Sequence, residues 1–507
     1  MSKRIDEEMS KLGKHLLRYS FIPLLIQQAF MKQIITVFIL SLSFLTPNLA
    51  QDDVWDLTRC LRYAEDNNLQ IKQAAIGIRQ AELTEEQSRK SRLPNLSGNA
   101  SHSYNFGRSI DPTTNEFESR MIQANGFGLN GGGLIYGGGQ IKNSIKQSKY
   151  DVAAAQADAA VVKNNLGLSI AQAYLQILLA QDQINITQNR LKQTEDQLNR
   201  TQRLVDAGAV APVTLLDFEA QMASDEQSIV ASENALVRAF ALLKTQLNLD
   251  PDYKMTVSRP SFNSADNVDI STVTVDALYK EALNNQPQIV AGEIRKKSAE
   301  VGIDIAKAGL RPSLTYFGNL ASRYSNLGIR RTGEFNTVRQ NLGVLDVEGI
   351  GAIPLEVESQ IPIFEDNPFG NQLNENFSQA IGVSLNVPIY SRGVNRINIE
   401  RAELNVLNAE LNNEQIHIQL KSDIQNALID ARAAVKNLTA AEKTLEAREV
   451  AFTSAQRRFD LGAINTFDYT ATKDALDIAK LNMLNAKYQY VFNLKVLDFY
   501  LGKPIIL

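Results

Sequence analysis

Cysteine is almost absent: Cys60 stands alone in 507 residues, which excludes an internal disulfide and any cysteine-rich metal centre. Histidine is nearly as scarce, and His15, His102 and His417 lie far apart along the chain, so structural zinc is not expected. There is no H-E-x-x-H, no G-x-S-x-G and no Gly-rich phosphate loop ending in Lys-Ser or Lys-Thr. Basic runs are missing too. The formal net charge is −4, and without residues 1–50, which carry six Lys/Arg and three Asp/Glu, the balance is 46 basic against 53 acidic groups. A mildly acidic chain of this kind is not expected to bind nucleic acid. No stretch beyond the N-terminal region holds the ~18 apolar residues of a membrane helix, so any membrane crossing has to be made by strands. With no catalytic constellation and no cofactor motif, the expectation is a protein that is not an enzyme and binds no cofactor or metal.

What is present begins with Met31–Ala50, where Lys32, an apolar run from Ile34 to Leu45, Pro47 and Ala50 follow the order of a secretory signal peptide. Residues 1–30 then read as a non-native upstream extension, with Met31 as the initiator. Leu57-Thr58-Arg59-Cys60 has only a superficial likeness to a lipoprotein box, because Arg59 stands where a small residue is required. Cys60 is expected to be a packed helical residue.

Compared with itself, the chain repeats. Ala64, Asn67, Ile71 and Pro94 recur 218 positions later as Ala282, Asn285, Ile289 and Pro312. Further on the offset is 254, matching Ile135-Tyr136 to Ile389-Tyr390, Gly139 to Gly393 and Gly208 to Gly462. The jump of 36 places an insertion between about Leu327 and Phe377, and its Gly and Pro residues read as a long loop. Each half has the order helix, two strands, long helix, turn, helix.

From Asn95 to Phe106 the odd positions are all Asn or Ser, while the even ones are Leu96, Gly98, Ala100, His102, Tyr104 and Phe106. A period of two with one polar face predicts a strand. Phe127, Leu129 and Ile135 mark a second, Leu314 to Tyr324 a third, and Ile381, Val383, Leu385, Val387 and Ile389 a fourth. Gly126 to Gly131 matches G-x-G-x-x-G formally, but the alternation continues through it to Ile135, so it reads as glycines within a strand. Between Gly393 and Gly462 lie 68 residues without Gly or Pro, enough for about 100 Å of helix. Leu166, Ile170, Ala173, Ile177, Ala180 and Ile184 follow 4-3-4-3-4 spacing, and Leu420, Ile424, Ala427, Ala431, Ala434 and Leu438 repeat it. This is a coiled-coil seam whose alanines allow close approach.

In order and doubling, these elements resemble the TolC family of outer-membrane efflux proteins. The likeness rests on the signal peptide, the duplicated helix–strand–strand–helix–turn–helix, Pro94 and Pro312 ahead of strands, Pro388-Ile389-Tyr390 after one, and the Gly208 and Gly462 hairpins. It covers residues 52–504. The resemblance implies an α+β membrane protein: a homotrimeric transmembrane β-barrel, four strands per chain, bathed in outer-membrane lipid and continuous with a long periplasmic α-helical barrel. It implies a first repeat at 51–250, a linker or equatorial segment at 251–275, and a second repeat at 276–507 with the insertion at about 327–377. The implied function is a passive duct of a tripartite efflux or type I secretion system, fed by an inner-membrane pump of RND or ABC type through a periplasmic membrane-fusion adaptor. The tips implied to meet the adaptor are Gly208, Ala209 and Val210, and Gly462, Ala463 and Ile464. The implied periplasmic constriction holds Asp468, six residues past Gly462, and Phe459, three before it, with Asp217 at the first tip as a further candidate. Ile464 and Ala471 replace an arginine and a second aspartate of the family pattern, so links between protomers differ here. Two roles fit Asp468: a ring of carboxylates or an ordinary helix cap. The alternatives, a periplasmic coiled-coil adaptor or other structural interaction protein, would carry one helical hairpin rather than two, and a porin would need many more strands.

Overall fold

The computed structural model describes residues 54–111, 115–260, 270, 272–347 and 351–503. The expected extension (1–30) and signal peptide (31–50) lie outside the described residues. The chain divides into two compact units. In the smaller, whose described residues are 54–56 and 252–259, β1 (Val54–Trp55) pairs in parallel with β6 (Thr256–Val257). Trp55 is buried there and meets Tyr253 edge-on at 6.2 Å. The larger unit runs from Leu57 to Pro251 and resumes at Pro260.

Its two halves repeat helix for helix. The first opens with α1 (Leu57–Asn67) and α2 (Leu69–Lys90), the second with α5 (Val275–Asn285) and α6 (Pro287–Ala308), 11 and 22 residues in both cases. The single opening helix expected in each half is therefore broken. Asn68 is extended and its side chain accepts from Gln70 N at 2.7 Å, restarting the helix. Gln286 is driven out of helical conformation by Pro287, which then occupies the first turn, where no N–H is needed. Next come α3 (Gln140–Asp206) and α8 (Val394–Asp460), each of 67 residues and so about 100 Å long. Gly139 and Gly393 precede them with φ of 93° and 80°, a conformation costly to any residue with a Cβ. The returning helices, α4 (Val213–Leu247) and α9 (Thr466–Tyr500), have 35 residues each.

The seam packs in both copies. Leu166, Ile170, Ala173, Ile177 and Ala180 are buried, as are Leu420, Ile424, Ala427, Ala431 and Ala434, while Ile184 and Leu438 are half-buried. In the second half, Leu278, Ala282 and Ile289 form one cluster with Leu420, Ile424 and Leu428. Cys60 is fully buried on α1, and the spacing that relates Ala64 to Ala282 relates it to the buried Leu278. The thiol thus stands where the other repeat packs a leucine.

Four strands form one antiparallel sheet in the order β10 (Ser378–Asn386), β7 (Ser313–Ser325), β5 (Ile122–Gly137), β2 (Asn95–Asn105). One face is polar. Asn99, Asn130 and Asn319 line up across it, with Asn130 Nδ2 donating to Asn99 Oδ1 at 3.0 Å and Asn319 donating to Asn130. The other carries Leu96, Leu129, Tyr316, Leu320, Ile381, Val383 and Leu385, all exposed in the single chain. β5 runs unbroken through Gly126–Gly131; a Cβ at Gly133 would lie 2.9 Å from the Tyr316 ring. β10 stops at Asn386, short of the expected Ile389, because Pro388 has no N–H to give the ladder. Among the described residues β2 and β10 each have one paired neighbour, so both edges of the sheet are open. Between β2 and β5 lies a small pair, β3 (Ser109–Ile110) with β4 (Phe117–Glu118).

The insertion read as a long loop is instead a hairpin, β8 (Ile329–Val347) with β9 (Gly351–Asp366), followed by the short helix α7 (Phe369–Glu375). Its glycines mark irregularities rather than an unstructured run: Gly333 and Gly343 have φ of 85° and 136° and sit where the register shifts. Pro354 and Pro362 are tolerated because a strand in an isolated pair has a free edge. Arg339–Glu358 at 3.1 Å and Arg330–Glu365 at 2.6 Å cross the hairpin.

Ala173 is fully buried in the first seam. Replacing it with leucine should overpack the seam and cost about 1–3 kcal/mol. The loss should be visible as a lower midpoint of helical circular dichroism in detergent, and an unchanged midpoint would mean that the alanine spacing is not needed.

Candidate functional site: the helical hairpin tips

Both hairpins close with the same cap. At the first tip Gly208 has φ of 69°, its N–H donates to Val205 O at 2.9 Å, and Ala209 N–H donates to Leu204 O at 2.8 Å. At the second, Gly462 has φ of 68°, with bonds to Phe459 O at 2.9 Å and from Ala463 N to Arg458 O at 2.8 Å. These are Schellman caps, which close the end of one helix and turn the chain toward the next. Gly208, Ala209, Gly462 and Ala463 are exposed, and Val210 and Ile464 are half-buried. The six residues form two blunt, small-side-chained ends.

Behind the tips sits a cluster of rings. Phe459 stacks on Tyr469 at 4.7 Å, Phe218 stands edge-on to Phe459 at 6.2 Å, and Phe452 lies 5.7 Å from Tyr469. Phe218 and Tyr469 are buried and Phe459 half-buried. Burial, helped by the charge of Asp460, pushes the Tyr469 hydroxyl up to about 12, so it stays neutral. Each candidate aspartate is the chain neighbour of a buried ring: Asp217 precedes Phe218, and Asp468 precedes Tyr469. Both aspartates are exposed. Asp468 lies in the first turn of α9, where Asn465 accepts from its N–H at 2.8 Å. The cap is thus Asn465, and the Asp468 carboxylate remains available while gaining from the positive end of the helix dipole.

Deeper between the helices is a charged group that sequence reasoning missed. Asp225 of α4 is fully buried, with Arg190 Nε of α3 at 2.7 Å and Gln221 Nε2 donating to it at 2.9 Å. Lys473 of α9, 4% exposed, donates to Arg190 O at 3.1 Å and to Thr194 Oγ1 at 2.5 Å. Thr194 in turn donates to Asp225 Oδ2 at 2.5 Å. Arg190 also bonds Asp474 at 2.9 Å, and Asp477 lies 3.6 Å from its Nε. Burial lowers the Lys473 pKa, against the pull of Asp225 and Asp477, and burial raises that of Asp477. The positions that the 254-residue offset pairs with Arg190, Asp225, Lys473 and Asp477 hold Thr444, Ala479, Glu219 and Ala223. Self-comparison therefore gives no sign of the cluster, and on a polar helix its members look like solvated charges.

The sequence profile of the family described as "Outer membrane efflux protein" matches residues 61–249 and 278–503. The chain is 23% identical over 444 residues to "Outer membrane protein TolC" of Vibrio cholerae serotype O1, spanning 87% of this chain and 89% of that protein. It is 22% identical over 467 residues to "Probable outer membrane lipoprotein SilC" of Salmonella typhimurium, spanning 90% and 89%. The solved structure of CusC superposes with a TM-score of 0.69 at 17% identity, covering 90% of this chain and 96% of that one. These similar structures give the fold as that of TolC-like outer-membrane channels.

Removing the Asp225 charge leaves Arg190 and Lys473 without their shared partner, so Asp225→Asn should lower stability by about 3–5 kcal/mol. Asp477 behaves differently. A raised folded pKa means that its favourable contribution is full at acid pH and is lost as pH rises through the folded value. Asn resembles the protonated carboxyl at every pH, so Asp477→Asn should match or exceed the parent's stability at neutral pH, unlike Asp225→Asn, and should converge on the parent on acidification through the carboxylate range. Thermal melts of the two variants at several pH values check both statements.

Proposed function

The chain belongs to the outer membrane efflux protein family, and from that membership we propose that three copies of it build a single duct. It is an outer-membrane efflux channel, a passive conduit and not an enzyme. The observation that carries the trimer is the four-stranded sheet, with one polar face, one apolar face and two open edges. In lipid an unpaired edge leaves backbone donors and acceptors without partners, at a cost of several kcal/mol for each group. One chain cannot close the wall. Three chains of four strands supply twelve, an even number, with the apolar face toward lipid and the polar face toward water. The long helices continue the wall as a periplasmic tube, and the β8–β9 hairpin then lies outside the cell.

A passive wall needs its driving force from elsewhere. The duct therefore works with an inner-membrane pump, of RND or ABC type, through a periplasmic adaptor that docks on Gly208, Ala209, Val210, Gly462, Ala463 and Ile464. A periplasmic adaptor as the identity of this chain itself is not favoured, because the structure has two equivalent hairpins and a sheet with an exposed apolar face. The resting constriction is formed by Asp468 of three chains. Phe459 holds it in place through Tyr469, and Asp217 at the first tip is the next candidate.

Detergent-extracted protein should have three times the mass of the mature chain by light scattering, and a stable monomer would count against the duct. In planar bilayers the parent channel should prefer cations and be blocked by trivalent cations. Asp468→Asn should raise the half-blocking concentration by roughly tenfold, equivalent to about 1.4 kcal/mol, and weaken cation preference with trimer mass unchanged. If selectivity and block stay as in the parent, the constriction is built from other side chains.

A further inference from the structure

Leu69, Ile76 and Leu83 repeat every seven residues along α2, and Ile397, Leu404, Leu411 and Ile418 do so along α8; all are 46–59% exposed. Among the described residues, α2, α3, α6 and α8 lie side by side in that order near the sheet, and α4, α3, α9 and α8 nearer the tips. α2, α4 and α8 are therefore the outermost helices of the wall. The internal repeat identifies the neighbour each of them lacks. α6 is the counterpart of α2, 218 positions on, and it is covered where α2 is bare: Ala291, Ile294, Ser298 and Val301 are buried or half-buried, whereas Gln73, Ile76, Gln80 and Leu83 are all exposed. The cover is α3, since Ser298 Oγ donates to Asp151 at 2.6 Å and Arg295 pairs with Asp158. α3 is in turn the counterpart of α8, so the helix missing beside α2 is an α8. The chain's own α8 lies at the opposite edge of the layer.

The tip half gives the same answer. Lys473 and Tyr488 of α9 are buried and donate to Thr194 Oγ1 and Asp182 of α3 at 2.5 Å and 2.8 Å, while their counterparts on α4, Glu219 and Asn234, are exposed. Exchanging the two repeats turns these contacts into Glu219 with Arg448 and Asn234 with Lys436. In that register Glu226 falls level with Lys443, and Glu233 with Lys436. Three acids spaced by seven thus meet three bases. All six are exposed, and none has an ion-pair partner among the described residues of its own chain.

We propose that α2 and α4 of one copy dock on α8 of the next, repeating between chains the α6–α3 and α9–α3 contacts made within one. The proposal rests on the duct reading for the number of copies. Near the sheet, the Ser298–Asp151 and Arg295–Asp158 contacts become Gln80–Asn405 and Gly77–Asn412, which brings Leu83 within a turn of Leu404 and Ile76 within a turn of Leu411. The apolar line supplies the buried area. Near the tips, the Glu219–Arg448, Glu226–Lys443 and Glu233–Lys436 pairs lie at the rim, where an ion pair adds little affinity but selects partner and register. A slip of one heptad in either direction leaves at least one pair unmatched. Because α2 and α4 differ from α8, the joint is head-to-tail, and it repeats from copy to copy until the ring closes.

The test uses the purified full-length mature protein in detergent. Leu83→Cys combined with Leu404→Cys should give covalent trimers on oxidation with copper–phenanthroline, read on a non-reducing gel; each single substitution, which keeps the buried Cys60, should give none. Leu83→Cys with Ile418→Cys, displaced by two heptads or about 21 Å, should also give none. Glu226→Lys with Glu233→Lys should lower the trimer-to-monomer ratio by light scattering roughly tenfold or more, and adding Lys436→Glu with Lys443→Glu should restore it. Restoration separates an effect at the joint from a failure to fold. Trimers that do not cross-link at Leu83 and Leu404, that cross-link equally at Leu83 and Ile418, or that respond to the charge reversals in any other way would overturn this joint and leave the duct standing. A monomeric parent would overturn the duct reading itself.

Discussion

A helix of 67 residues outruns any globular core, and propensity alone does not hold it straight in water; lateral packing along its length must do so. In this chain the packing is a narrow line of buried Leu, Ile and Ala on α3 and its counterpart on α8, met by the shorter helices α1, α2, α5 and α6. Alanine is what makes the line narrow. Small side chains let neighbouring axes approach while most of the surface stays polar, so a helix about 100 Å long can remain wet on much of its circumference. The sheet and the tips are placed by the ends of these two helices.

Near the tips the rule changes from apolar to ionic. Two cations and three carboxylates are packed among α3, α4 and α9, with Asp225 and Lys473 almost wholly withdrawn from water. A buried arrangement of this kind gains little over hydrophobic packing, because desolvation offsets the attraction, but removing one member is severe. It joins α9 of the second repeat to α3 and α4 of the first, and the counterpart positions of its charged residues are uncharged apart from Glu219. The duplication is therefore symmetric in its helices and asymmetric in its ionic contacts.

The sheet obeys a different constraint. Both of its faces are almost free of charge, and they differ in polarity rather than in ionisation: mainly Leu, Tyr, Ile and Val on one side, and Asn, Ser and Gly with the Phe317 ring on the other. Glycine has a structural use in β5, where a Cβ at Gly132 would lie 2.7 Å from the backbone oxygen of Tyr316. The glycines of the G-x-G-x-x-G pattern, Gly126, Gly128 and Gly131, lie in the same strand, where they face Ser101, Asn99 and Leu96 of β2.

Periodicity and self-comparison made the helices, the seam, the four strands and the glycine tips legible, because each depends on local backbone chemistry or on a repeat that can be counted. Pro287, which splits the opening helix of the second half, and Pro388, which ends β10 early, act just as locally, yet the hydrophobic pattern ran through both and hid them. The insertion was misread for a related reason: Gly333, Gly343, Pro354 and Pro362 resemble loop residues until β9 supplies the cross-strand partners that make them bulges and edge positions. Asp217, Asp468 and Phe459 could be named from their distance to the tips, but not their surroundings. Only packing decided that Asn465 is the cap that frees Asp468, and that Phe459 stacks on Tyr469 instead of standing alone. The same holds for Arg190, Asp225 and Lys473, whose partners are 31 to 284 residues away in sequence. What the sequence determined by itself is the set of elements and their order, since these follow from spacing along one chain. Which charges are buried together was left to the tertiary structure, because burial depends on neighbours that no local pattern specifies.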